Sequence, residues 1–220
     1  MSEYRQANQS LVLLAQRDLS DFWGSLNLLG DPTRIRDLLL EFFPELLATY
    51  GDAAALLGAD WYDMLRDVPP SAARFRAALA SPAKADQAIG SARWALGPLF
   101  ADEPDPAAAL SQLMGSAQRL VLQPGRDSTW QASRSDPVRV SFARVPAGAT
   151  TCKWCVKLAS RGFDYETAKS AGEGREFHDN CNCVIIPGQG EDDLPDGHDL
   201  AEFKRLYAEQ SGIGRDIPTD

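Results

Sequence analysis

Five potential metal ligands crowd one stretch of this chain: Cys152, Cys155, His178, Cys181 and Cys183. They are every cysteine in the protein and one of its two histidines. They read C-x2-C, a gap, then H-x2-C-x-C. A tetrahedral Zn²⁺ site takes four such donors, and paired short spacings deliver two from each of two turns. The C-x2-C spacing lets one tight turn aim two sulfurs at a point. Cys181 and Cys183 are two apart, so in an extended segment they face the same side. His178 can fold over from the preceding turn. Four of the five donors suffice, either three cysteines with His178 or four cysteines without it.

The residues around the cluster predict a small module. Val156, Leu158 and Ala159 start a short helix that Gly162 stops, and Gly172 and Gly174 loosen the approach to His178. Val184, Ile185 and Ile186 read as a short buried strand ended by Pro187 and Gly188. Such a segment has too little apolar content for a core of its own, and a bound metal is one way to hold it. Two other readings stay open. Disulfides pairing Cys152 with Cys183 and Cys155 with Cys181 would suit an extracellular particle. Four reduced thiols would serve as small buried hydrophobes.

The first half reads as helical from its period. Ala15, Leu19, Phe22, Leu26 and Leu29 step by four and three, and so do Leu47, Tyr50, Ala54, Leu57, Trp61, Met64 and Val68. Stripes of this kind drive helix against helix. Asp31-Pro32, Ser81-Pro82 and Asp105-Pro106 are helix-start signals, a capping side chain followed by a proline suited to the first turn. Pro44 should split or kink the second helical run. Gly51 and Gly58 lie within that run at a cost of about 1 kcal/mol each, which close helix contact would explain. Gly97-Pro98 and residues 102–106 read as a loop. Trp23, Phe43, Tyr50 and Trp61 are expected in the core.

Punctuation sets the remaining boundaries. The polar, turn-rich run from Gln123 to Pro137 reads as a linker. Val138, Val140 and Phe142 alternate with polar residues, as in a strand leading into the cluster. Residues 188–198 form an acidic linker, expected to be mobile. Leu200, Phe203, Leu206 and Tyr207 lie on one face of a short helix capped by Asp199, which should dock on the body or on a partner. The expected fold class is therefore α+β and predominantly α. A helical region (1–122), a linker (123–137), a zinc-stabilised α/β module (138–187), the acidic linker (188–198) and a terminal amphipathic helix (199–211) follow in order.

Composition narrows the function. The formal charge is −9, yet residues 126–186 carry nine basic against seven acidic side chains. Any contact with nucleic acid phosphates would be weak and local, around Arg139, Arg144, Lys153, Lys157 and Arg161. No apolar run approaches the roughly 18 residues of a membrane span, and the polar start lacks a signal pattern. Synthesis in a reducing cytoplasm favours metal over disulfide. A catalytic triad or dyad would have to use His178, which the cysteines already claim, because His198 lies in the acidic linker. No phosphate-binding glycine loop is present. The order His178-Asp179-Asn180 admits a metal-dependent nuclease as an alternative, but one histidine cannot be both general base and structural ligand. A cellular zinc-stabilised adaptor is a further alternative.

The run R-V-P-A-G-A-T-T-C-K-W-C-V-K-L-A-S-R-G-F-D-Y (144–165), followed by F-H-D-N-C-N-C (177–183), resembles the MuF-type minor head proteins of tailed bacteriophages, most closely those of phages of actinobacteria. The words A-N-Q-S-L-V-L-L-A-Q-R-D-L-S-D-F-W and A-D-W-Y-D-M-L-R are similar to that group as well. Where other members carry H-P-N-C-R-C, this chain has Asp179 and Asn182 at the varied positions, which keeps the ligand set and removes a positive charge. The resemblance implies a non-enzymatic virion protein at the portal vertex or capsid interior. Its partners would be portal or inner capsid proteins, and its role head assembly or genome packaging and delivery.

Overall fold

The start signals at Asp31 and Asp105 act as their chemistry predicts. The Asp31 carboxylate accepts from the Thr33 N–H (2.9 Å) and the Asp105 carboxylate from the Ala108 N–H (2.9 Å), each satisfying an amide that the first turn leaves orphaned. They open the two longest helices of a computed structural model that describes residues 2–28, 30–66, 74–138, 141–148, 151–163, 177–188 and 190–211. In chain order the elements are α1 (Ser2–Gly24), α2 (Pro32–Leu65), α3 (Ala85–Ala95), a 3-10 turn (Gly97–Phe100), α4 (Pro106–Ser135), β1 (Ser141–Val145), α5 (Lys153–Ala159), β2 (Val184–Gly188), a 3-10 turn (Glu191–Asp193) and α6 (Leu200–Ser211). The protein is predominantly helical, with one two-stranded sheet.

The apolar stripes meet in one helical core. Ala15 and Leu19 of α1, Leu39, Phe43 and Leu47 of α2, Ala88 and Ala92 of α3, and Leu113 and Leu120 of α4 are all buried there. Phe22 stacks on Phe42 with ring centroids 4.0 Å apart. Ala54 and Trp61 are buried as the second stripe predicts, Tyr50 and Leu57 are half-buried, and Met64 at its far end is 68% exposed. Tyr62 takes the inward place instead, donating to the buried Asp136 carboxylate (3.0 Å). Leu29 and Val68 lie outside the described residues. Helix α2 runs unbroken through Pro44, so the expected split does not occur. Phe43, Leu46 and Leu47 are buried beside it, and that packing outweighs the cost of proline in a helix.

The segment expected to be a linker is the second half of α4. Residues 123–135 are helical despite Pro124 and Gly125. Their polarity faces inward: Arg126, Ser128, Thr129 and Ser133 are buried. Ser128 and Thr129 donate to the carbonyls of Pro124 (3.0 Å) and Gly125 (3.1 Å), and Thr129 also to Gly58 (3.2 Å). Gly125 is required here because α2 and α4 cross backbone to backbone. A Cβ on Gly125 would lie 2.5 Å from the Ala54 carbonyl, and one on Gly58 would strike the Gly125 backbone. Tertiary contact, not propensity, decides this stretch.

The Ser81-Pro82 signal does not start a helix, since α3 begins at Ala85. Its segment is held elsewhere. The Ala80 N–H donates to Ser128 (2.9 Å), the Ala77 N–H to Asp63 (3.0 Å), and Pro82 packs over Gly51.

Strands β1 and β2 pair antiparallel, with Phe142 opposite Pro187, Arg144 opposite Ile185 and Val145 opposite Val184. Val138 precedes the strand, and Arg139 and Val140 fall outside the described residues. The period of two gives this ribbon two buried faces. Val145, Val184 and Ile186 pack on Tyr4 and Trp61 of the helical body, whereas Phe142 and Ile185 join the cysteines. The acidic segment after β2 does not stand free either: Leu194 packs on the Tyr4–Trp61 cluster and His198 stacks on Phe203. Helix α6 lies against α5 with Leu200 buried, and Asp199 caps it through the Glu202 N–H (3.0 Å).

Candidate metal centre

Two turns carry the five donors to one place. The Cys152 sulfur accepts from the Cys155 N–H (3.3 Å) at the start of α5, which fixes the C-x2-C turn. The second turn, residues 177–183, reverses at Asn180, whose φ is 62°. Cys152, Cys155 and His178 form one group whose donor atoms lie within 4.8 Å of one another, and Cys155, Cys181 and Cys183 form a second. Cys155 belongs to both. Cys155, Cys181 and Cys183 are buried, while Cys152 and His178 are exposed.

The spacings suit a metal better than a disulfide. The Cys155 and Cys181 sulfurs are 3.7 Å apart and His178 Nε2 lies 3.5 Å from the Cys155 sulfur. Two thiolates on one tetrahedral Zn²⁺ sit about 3.8 Å apart, whereas a disulfide bond is about 2.05 Å. All four cysteines are free thiols. His178 Nδ1 lies 2.6 Å from the Asp179 carbonyl. A carbonyl only accepts, so Nδ1 carries the proton and Nε2 presents its lone pair to the sulfurs, the arrangement a ligating histidine uses. Nε2 is 2.9 Å from the Cys152 sulfur.

The sulfurs do not titrate alike: bonding to Cys155 pulls Cys183 down, but bonding to Cys181 and burial outweigh it and leave it raised to about 12. Bonds from the Cys155 and Cys183 thiols, with Arg126 nearby, hold Cys181 well below the usual thiol range. The same sharing with Cys181 and Cys183, together with burial, pushes Cys155 up. Burial pushes the Cys152 thiol up, but the Cys155 N–H and the Cys155 and His178 side chains outweigh it and leave it lowered. Burial pulls His178 down, and the Asp179 carbonyl with the neighbouring sulfurs outweighs it and leaves it raised. A metal ion competes with protons for such groups, and these groups could hold one.

Helix α4 braces the second turn through residues the spacing of the cysteines does not reveal. Arg119 Nε donates to the Asp179 carboxylate (2.6 Å), Ser116 donates to the same group (3.1 Å), and Gln118 donates to the Asn182 side-chain oxygen (2.7 Å). Gly115 admits the turn, because a Cβ there would lie 2.9 Å from the Asn180 side chain. Arg126 reaches the carbonyls of Cys183 (3.0 Å) and Cys181 (2.7 Å). The Phe177 ring lies between two guanidinium groups, with Arg126 3.7 Å and Arg144 3.9 Å from its centroid. The positions at which the turn departs from H-P-N-C-R-C, Asp179 and Asn182, are thus its anchors on α4. An arginine on the helix face, three or four residues from another buried position, was the available signal, and the polarity of the segment hid it.

The basic patch changes accordingly. Arg144 is fully buried beside Cys181 (Nη2 to sulfur, 3.7 Å) and cannot reach a phosphate backbone. Lys153 is exposed, Lys157 and Arg161 are half-buried, and Arg139 lies outside the described residues. Lys157 is also drawn over the Trp154 ring (5.1 Å). Within the His178-Asp179-Asn180 run, Asp179 accepts from Arg119 and Ser116, the Asn180 N–H donates to the Gly115 carbonyl (3.5 Å), and His178 faces the sulfurs.

No helix among the described residues is long and apolar enough to cross a membrane. The chain is 29% identical to the gene 15 protein of Mycobacterium phage L5, in an alignment covering 94% of this chain and 82% of that one. It is also 29% identical to the gene 15 protein of Mycobacterium phage D29, over 68% of this chain and 65% of that protein. No solved structure matches. The profile of the VG15 protein family matches residues 1–210. With nearly its whole length matched, the chain belongs to the VG15 protein family of phage proteins.

Proposed function

We propose that this protein is a non-enzymatic minor head protein of a tailed phage, of the MuF type, in which one structural Zn²⁺ locks the C-terminal turns onto the helical body. It works at the portal or inner capsid wall, assisting head assembly or genome packaging and delivery. The observation that carries the structural reading is the direction of the donors. Three of five are buried, and the turn that bears them is bolted to α4 by Arg119, Ser116, Gln118 and Arg126. With four protein donors filling a tetrahedral site, no coordination position is left for a substrate. The gene 15 relatives support a phage origin, and the MuF-like Cys/His words support the head assignment. Mass spectrometry and asymmetric reconstruction of the purified virion test it. The protein is expected at the portal vertex or inner capsid wall; its absence from virions and from assembling heads would overturn the proposal.

A further inference from the structure

Arg126 sits in a place where an arginine is costly. It is 3% exposed, and no carboxylate among the described residues pairs with it. Its Nε and Nη2 donate to the carbonyls of Cys183 and Cys181, its Nη1 has no hydrogen-bond partner among the described residues, and Phe177 covers its face. A guanidinium keeps its charge in a protein interior. Carbonyls and an aromatic face are neutral, so they do not cancel a buried charge. The sulfurs of Cys181 and Cys183 bear on it with the opposite sign, as does Tyr4 more weakly, while the buried Arg144 bears on it with the same sign.

We propose that Arg126 is the buried counter-charge of an anionic metal–thiolate centre, in which Cys155, Cys181 and Cys183 all bind as thiolates and the exposed side supplies the fourth ligand from Cys152 or His178. This rests on the zinc reading above. With His178 as fourth ligand, binding releases three thiol protons and the centre carries one negative charge, which Arg126 offsets. With Cys152 as fourth ligand, four protons leave and the two negative charges are offset by Arg126 together with the buried Arg144, whose Nη2 lies 3.7 Å from the Cys181 sulfur. Arg126 is a positioning residue and not a ligand. It fixes the two carbonyls flanking Asn182 and favours the deprotonated sulfurs, as outer partners of metal sites do.

The full chain loaded with Co²⁺ in place of Zn²⁺ gives the first test, since the sulfur-to-cobalt charge-transfer intensity counts bound thiolates. Three or four are expected, and two or fewer would overturn the proposal. The second test is zinc affinity by chelator competition. Arg126→Gln keeps hydrogen-bond donors without the charge and should weaken binding about tenfold to a hundredfold. Arg126→Lys keeps the charge and should stay within a few-fold of the native protein. Equal loss in both variants, or none in either, would refute the counter-charge. If Arg126→Gln melts the helical body before metal is added, Arg126→Lys decides: affinity within a few-fold of native supports the counter-charge, and a loss of about tenfold or more overturns it. A native chain that takes up neither Zn²⁺ nor Co²⁺ would overturn the metal reading itself, a result distinct from a metal centre indifferent to Arg126.

Discussion

At the scale of the residue, two buried charges, one on α4 and one at its C-terminal cap, are balanced in different ways. Asp136 has a fully buried side chain, and Arg66, itself 5% exposed, pairs with it while the Tyr62 hydroxyl donates to it. Asp136→Asn would remove the charge that pairs with Arg66 and should lower stability in denaturant unfolding. Burial pushes the Asp136 carboxyl up, but Arg66, the Val138 N–H and Tyr62 outweigh it and hold it below the usual carboxylate range. Its folded value is therefore lower than its unfolded one of about 3.9. The stability it contributes is complete above that unfolded value and disappears as pH falls through the folded one. A melting series from pH 6 to 2 should show this loss in the native protein, and Asp136→Asn should lack that component. Arg126 has no such carboxylate, only sulfur and carbonyl oxygen. The cysteine and histidine positions were legible because ligand spacing is local. Arg119, Arg126 and Arg144 were not, because their partners lie 37 to 60 residues away.

Among the elements, α4 does most to join the body to the cluster. One side of it crosses α2 at Gly125, and another side carries Ser116, Gln118, Arg119 and Arg126 to the second turn. Gly58→Val should lower stability by about 3 kcal/mol or more, because the new side chain meets backbone that cannot rotate away; a melting temperature close to native would show that the two helices can separate without cost. Cys155→Ser removes the donor common to both groups. It should abolish metal binding and expose residues after 138 to protease while α1–α4 keep their helical signal. Unchanged metal content and resistance would mean that other contacts hold the module. Periodicity made the helices readable, and the capping aspartates marked two of their starts. The end of α4 was unreadable because Pro124, Gly125, Ser128 and Ser133 pack inward, and the Ser81-Pro82 start failed because Ser128 and Gly51 claim its segment. Helix α6 shows the same limit: its apolar face was evident, but its seat on α5 depends on Leu200 meeting Gly162.

For the whole molecule, helical body and cysteine turns form a single packed unit, with the sheet between them buried on both faces. Deleting residues 199–220 should leave a folded, metal-binding protein that enters heads less well, as read by its abundance in purified particles. Normal incorporation and infectivity would make α6 a packing element only and move docking to the helical faces of the first half. The claim beneath these expectations is that a metal closes the fold. Elemental analysis of the full chain, purified under reducing conditions without added metal, tests it most directly: about one Zn²⁺ per chain is predicted, and a folded protein free of zinc and other transition metals would contradict it.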